Sequence, residues 1–294
     1  MQRRFFLWQG AAAAGALLLW PWSRWLARLP VPEKMIDGVV WQIDSQTLAP
    51  HGSWERLGAR TLLVQWTALD GVSFIEGGGG SLWPQAGRLP DWQRIAREPW
   101  AQEVILGLAG HSNEAAARDD VRGLIAVSAQ LARLPTPLHV TGWYFPVEID
   151  SSWQAAPQLG PLLADLPRPL WLSLYDRANV GAQPLAEWLA QWLPADVGIF
   201  FQDGVGVHAR TPVVAREHAE VLIRQFGRER VRLIAEAFRP LEGGGFRSAT
   251  AGELRAQLQA YAGLPVYLFD GPHYVSDGVV NALAPQGERA APAN

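Results

Sequence analysis

The stretch "HVTGWYFPVEID", residues 139–150, stays apolar along its length until it delivers one carboxylate, Glu148, near its end. A strand with one wet face alternates apolar and polar residues. A nearly continuous apolar run instead marks a strand covered on both faces, as in a parallel sheet flanked by helices. The run stops at Asp150-Ser151-Ser152, residue types that favour turns and helix starts.

Working outward, the same rhythm repeats: an apolar strand, a loop, an amphipathic helix. Further strands are expected at 38–44, 61–70, 104–110, 169–176, 197–204, 231–238 and 265–274. Helical spacing of apolar residues separates several of them, at 113–134, 184–194, 212–227 and 248–263. The last of these has Ser and Thr at its front and Gly263 and Pro265 at its end, which are start and stop signals. Eight strand-plus-helix units in residues 32–285 match the size of a (β/α)8 barrel, about 250 residues. A doubly wound sheet would carry a glycine-rich first turn, and "WQIDSQTL" after the first strand has none. The expectation is therefore an α/β protein, a single-domain (β/α)8 TIM barrel, followed by a disordered tail over 286–294.

The 294 residues are 49% hydrophobic and 18% charged, with a net charge of -3. No basic footprint for nucleic acid is present. Cysteine is absent, which excludes disulfides, thiolate metal sites and cysteine nucleophiles. Residues 1–31 read as an export signal or N-terminal anchor: Arg3-Arg4 precede a short apolar stretch to about Trp22. "RRFFL", residues 3–7, resembles the core of bacterial twin-arginine signals. The expected location is exported, periplasmic or held at the inner membrane facing the periplasm.

In such a barrel the active site lies at the C-terminal ends of the strands. The polar residues expected there include Gln65, His111, Glu148, Gln202, Asp203, Glu236, Asp270 and His273, with Trp41, Trp66, Trp143 and Tyr144 close by. Asp44, Asp150 and Asp176 fit the role of caps. Glu148 and Glu236 do not: glutamate caps poorly, and both sit in apolar text, "FPVEI" and "LIAEAF". A buried charge without a partner or a task is costly.

Glutamates ending strands 4 and 7 resemble the pair of the clan A glycoside hydrolases. More narrowly, "GWYFPVEID", "FFQDGVGV" and the glutamate of "AEAF" resemble a family of exported bacterial barrels of unknown function, regarded as glycosidase-like. The resemblance implies a retaining hydrolase of a bacterial exopolysaccharide or cell-surface polysaccharide, with Glu148 as acid/base and Glu236 as nucleophile. Val147 stands where clan A enzymes usually have asparagine.

Cleavage of a glycoside needs one protonated carboxyl and one carboxylate, which is why this residue pair points to that chemistry. Asp203 is expected to position substrate or to raise the pKa of Glu148 by repulsion. Trp41, Trp66 and Trp143 are expected to stack on sugar rings. Gln65, Gln202, Tyr144, His111, Asp270 and His273 complete the expected substrate site. No cofactor or metal is expected; the partner is a polysaccharide or oligosaccharide, with possible membrane association through the N-terminal segment. Two alternatives stand beside this: a non-catalytic polysaccharide-binding barrel in an export system, and a metal-dependent barrel hydrolase using His111, His208 and His273. Against the second, no His-x-His lies on strand 1 and no HExxH occurs.

Overall fold

A computed structural model describes residues 34–77 and 83–284. The expected segments 1–31 and 286–294 lie outside the described residues. Eight parallel strands close into a barrel: β1 (Gly38–Trp41), β2 (Thr61–Val64), β3 (Glu103–Gly107), β4 (Val140–Ile149), β5 (Leu170–Leu174), β6 (Val197–Gln202), β7 (Val231–Glu236) and β8 (Val266–Phe269). Each pairs with its neighbours in chain order, and β1 pairs with β8 to close the ring. All eight strands fall where the sequence expects them.

The interior follows from strand alternation. One residue from each strand, Val40, Leu63, Ile105, Tyr144, Trp171, Phe200, Ile234 and Tyr267, packs into a buried layer inside the barrel. Their neighbours, such as Val39, Trp41, Phe145 and Val147, join the larger core under the helices. Parity then decides what reaches the mouth, because successive side chains face opposite sides. Two residues beyond the interior layer come Gln42, Gln65, Ser173, Gln202 and Glu236, all of inward parity.

The helices are less regular than the strands. Pro212–Phe226 is capped by Thr211, which accepts from Val214 N, with proline at the first position. Ala251–Ala260 has a reciprocal box of Thr250 and Glu253. The expected helix 113–134 is two helices, Glu114–Asp119 and Val121–Leu131, joined at Asp120. Between β1 and β2 there is only a 3-10 turn, Trp54–Leu57. That connection contains Pro50, Gly52 and Gly58, which oppose a helix, and it covers the barrel with buried Trp54 packed edge-on against Trp100 at 4.9 Å. No helix among the described residues is long and apolar enough to cross a membrane.

Strand β4 departs from regular pairing at the place that matters for the site. Tyr144 pairs with Trp171 and Phe145 with Leu172, but the next pair is Glu148 with Ser173. Pro146 and Val147 are extra residues in a bulge, which suits a proline because it has no N–H for the ladder. The bulge is even-numbered, so Glu148 keeps the inward parity of Tyr144. Glu148 sits level with Ser173, where a regular ladder would place it two residues, about 6–7 Å, higher.

Candidate active site

Glu148 leaves β4 into the mouth with its side chain 23% exposed. Its Oε2 accepts from Gln202 Nε2 at 2.7 Å, and the same amide donates to Ser173 Oγ at 2.7 Å. Its Oε1 accepts from Arg177 Nη2 at 3.3 Å. Arg177 also pairs with Glu114, and Arg118 bonds Asp150 at 2.6 Å and the Glu148 backbone carbonyl at 3.1 Å. Burial pushes the Glu148 pKa up against the pull of the Gln202 hydrogen bond; the Glu114 charge adds to the rise and Arg177 opposes it.

Glu236, at the end of β7, is 5% exposed. Its Oε2 accepts from Gly206 N at 2.7 Å, and the Val207 N–H adds a second bond. Glycine at 206 is required by space: a Cβ there would stand 2.7 Å from the Glu236 Cβ and 2.8 Å from the Phe238 ring. Burial, and then the charge of Asp203, push the Glu236 pKa up to about 8, against those two N–H groups.

Asp203 does not meet substrate. It is fully buried and accepts from Val205 N at 3.1 Å, Glu236 N at 3.2 Å, Gln257 Nε2 at 2.5 Å and Tyr261 Oη at 2.8 Å. Burial pushes the Asp203 pKa up, and these four donors oppose that rise by favouring its ionised form. Because every one of them donates, Asp203 is the member of this buried pair built to hold the charge, with Glu236 holding the proton. Its task is to shape the turn after β6 that aims Gly206 and Val207 at Glu236.

Tyr175 lies within the electrostatic reach of both glutamates. Arg210 lies over its ring at 5.1 Å. Burial raises the phenol's pKa, Arg210 lowers it, and the charges of both Glu236 and Glu148 raise it again.

The other expected residues lie elsewhere. Trp41 is fully buried, donates to Thr47 Oγ1 at 3.3 Å and packs 5.6 Å from Trp92. Trp66 is buried and donates to the Ile43 carbonyl at 3.0 Å. Trp143 packs against the outer core. None of the three stacks on sugar, and for Trp41 and Trp143 parity is the reason: each neighbours an inward residue, Val40 and Tyr144. Tyr144 belongs to the floor, in T-shaped contact with Phe200 at 5.7 Å. Gln65 has inward parity, and its Oε1 is buried without a hydrogen-bond partner among the described residues.

His111 and His273 each stand between two aspartates. His111 meets Asp70 at 3.3 Å and Asp120 at 3.2 Å. His273 meets Asp270 at 3.0 Å and Asp44 at 2.9 Å, and the Asp270 bond leads a rise of its pKa to about 9. Asp270 also accepts from Gln42 N at 2.7 Å, so this cluster fastens β8 to β1. A histidine metal centre is not what these partners make. Glu114, Glu148 and Asp150 do bring carboxylate oxygens within 4.8 Å of one another, but Arg118 and Arg177 occupy the space around them as counter-charges.

The sequence reading passed over Arg177, Glu114 and Ser173. The arginine and the glutamate sit on exposed loop and helix text with no apolar context to mark them. Ser173 could have been found by parity, two residues beyond Trp171.

No family model matches the chain, and no curated protein matches it. Solved structures do. A putative alpha-L-fucosidase from Bacteroides thetaiotaomicron is 15% identical, with 93% of this chain and 96% of that one covered at a TM-score of 0.57. A chitinase from Chromobacterium violaceum is 11% identical, with 84% and 98% covered and a TM-score of 0.45. The PgaB (BpsB) glycoside hydrolase domain from Bordetella bronchiseptica is 12% identical, with 85% and 100% covered and a TM-score of 0.43. At this identity the likeness to the fucosidase is one of fold: this chain is a closed, eight-stranded parallel (β/α)8 barrel.

Proposed function

We propose that this chain is a glycoside hydrolase that cleaves a bacterial exopolysaccharide or cell-surface polysaccharide with Glu148 and Glu236. The observation that carries it is the contrast between the two carboxyl groups in one barrel mouth. Glu148 faces an arginine and an amide; Glu236 faces a buried aspartate. Burial raises both pKa values, but hydrogen bonds from Gln202 and Arg177 oppose the rise at Glu148 while the Asp203 charge adds to it at Glu236. A difference of this kind separates a proton donor from a carboxylate. The barrels of solved glycosidases share this fold, which raises the prior but names no residue.

The electrostatics favour roles opposite to those implied by the clan A resemblance. With a pKa near 8, Glu236 keeps its proton at neutral pH and donates it to the leaving oxygen. Glu148, held by Gln202 and Arg177, supplies the negative charge that attacks the anomeric carbon or activates water. Tyr175, within the field of both, lies beside the cleaved bond. Retention of configuration is part of the proposal and follows the resemblance.

Export through residues 1–31 completes it and rests on Arg3-Arg4 and the apolar stretch behind them. A chain carrying both R3K and R4K is expected to stay in the cytoplasm; normal fractionation to the periplasm would remove the twin-arginine route.

Three measurements test the chemistry. Wild type is expected to release reducing ends from a soluble polysaccharide, with E148Q and E236Q inactive. If wild type binds polymer and never cleaves it, the barrel is a binding module. On dinitrophenyl glycosides, whose leaving group needs no proton, E236Q is expected to retain activity and E148Q to lose it. The opposite pattern restores the roles that the resemblance implies. The first-formed anomer, read by proton NMR, reports retention or inversion.

A further inference from the structure

The tryptophans expected to stack on sugar are buried, yet the mouth has an aromatic surface elsewhere. Phe238, two residues beyond Glu236, begins a hairpin in which Phe238–Pro240 pairs with Phe246–Ser248. Its ring edge lies where a Cβ on Gly206 would meet both it and the Glu236 carboxyl, each at 2.8 Å. Phe238 therefore borders the reacting centre, with only Gly206 between its ring edge and the Glu236 carboxyl. From there the rings continue outward: Phe246 at 4.7 Å and 68°, and Tyr274 at 5.3 Å and 43°.

Phe246 is 47% exposed, and among the described residues it is the one aromatic side chain that counts as exposed. Its hairpin is built to hold it there. The buried Arg239 donates to the Glu236 and Phe238 carbonyls at 3.1 and 2.6 Å and to Gln257 Oε1 at 2.7 Å. On the opposite strand Arg247 pairs with Glu253 at 2.8 Å, in the first turn of the following helix. The tip, Gly243–Gly245, has φ of 94°, 103° and 81°, a left-handed run open to glycine alone. An aromatic ring on a fixed hairpin binds without first losing conformational freedom.

We infer that Phe246, Phe238 and Tyr274 form a platform for the apolar C–H faces of pyranose rings, a subsite that seats the glycan on the β7–β8 side of the mouth. The occupant is a sugar because the surface is aromatic and runs outward from beside Glu236. The one cation bordering it among the described ring contacts is His273, 6.1 Å from the Tyr274 ring and already paired with Asp270 and Asp44, whereas the β3–β5 side of the mouth is crowded with Glu114, Arg118, Asp150 and Arg177. The chain of sugar units then runs from an aromatic flank to a charged one, with the cleaved bond between. This inference rests on the proposed glycosidase reading for the identity of the ligand.

The test is affinity electrophoresis of the full chain in gels containing laminarin, xyloglucan, chitosan or alginate, with reducing-end release measured in parallel. Wild type is expected to be retarded by at least one polymer. F246A is expected to bind that polymer about tenfold more weakly, the scale of one aromatic contact. F246Y is expected to bind as wild type does, and F246A is expected to lose kcat/KM on that polymer by about the same tenfold. Unchanged thermal melting of F246A keeps a folding defect out of the comparison, since the ring is half exposed. Equal retardation of wild type and F246A overturns the platform and leaves the two glutamates standing if reducing ends still appear. Retardation lost in F246A, with no reducing ends from wild type, supports the platform and sinks hydrolysis. No retardation of wild type by any of the four polymers overturns the platform.

Discussion

Two acidic groupings share the mouth of this barrel, and their partners differ. At the β8–β1 seam, Asp44 and Asp270 flank one histidine raised to about 9, so two negative charges meet one positive charge and the backbone N–H of Gln42. On β4 and β7, Glu148 has an arginine it shares with Glu114, and Glu236 has a negative neighbour, Asp203, whose effect outweighs that of the positive Arg210. The first grouping joins strands; the second holds a carboxyl in a state the fold would not choose. Acidic residues at strand ends are common, and it is the unbalanced ones that mark chemistry.

The sharpest way to break this contrast is kinetic. E148Q and E236Q are each expected to lower kcat/KM on polysaccharide by about a thousandfold or more, within the range of acid–base catalysis. D270A should leave chemistry in the folded fraction largely intact and instead destabilise the protein by about 3–5 kcal/mol, the cost of orphaning a buried charge partner. Urea unfolding at pH 7 measures it. If D270A abolished turnover without loss of stability, the seam would belong to the site.

E236Q is expected to stabilise. The folded pKa of Glu236, about 8, lies above its ordinary 4.5, so between these values the native state binds a proton that the unfolded state has lost. Stability therefore falls as pH rises from 4.5 to about 8, and glutamine removes that fall. The gain should be on the order of 4 kcal/mol at pH 8 and near zero at pH 4. A melting curve of E236Q that tracks wild type at both pH values would deny the strain.

His273 gives the mirror image. Its pKa is raised from 6.5 to about 9, so its contribution is fully present below pH 6.5 and is lost as pH rises through 9. The loss should be about 1 kcal/mol, reduced by partial exposure, and absent in H273Q. The smallest effect is expected from W143F, whose ring lies on the helix side: polymer affinity should change less than about twofold. A larger loss would return Trp143 to the sugar.

Much of this was legible in the text of the chain. All eight strands were, because apolar runs of this length between turn residues have few other readings. Glu148 and Glu236 were legible because each interrupts such a run. The tryptophans misled because proximity to a strand end was read without parity; Val40 and Tyr144 inside place Trp41 and Trp143 outside. Arg177 and Glu114 come from segments far apart in sequence and meet only on closure of the barrel. Asp203 was placed at the rim, but its burial depends on Gln257 and Tyr261, contributed by a helix more than fifty residues later.

The two surplus residues of β4 have a consequence for descent. Pro146 and Val147 lengthen the strand without changing which way Glu148 faces or the level at which it pairs, so the bulge takes up spare chain. Excising the pair would join Phe145 to Glu148 in a regular ladder, with the glutamate still facing inward and still level with Ser173. Flattening the bulge without excising it would lift the glutamate two residues toward solvent. A barrel with this device can gain or lose two residues in a single strand and keep the height of its carboxylate, leaving the other seven untouched.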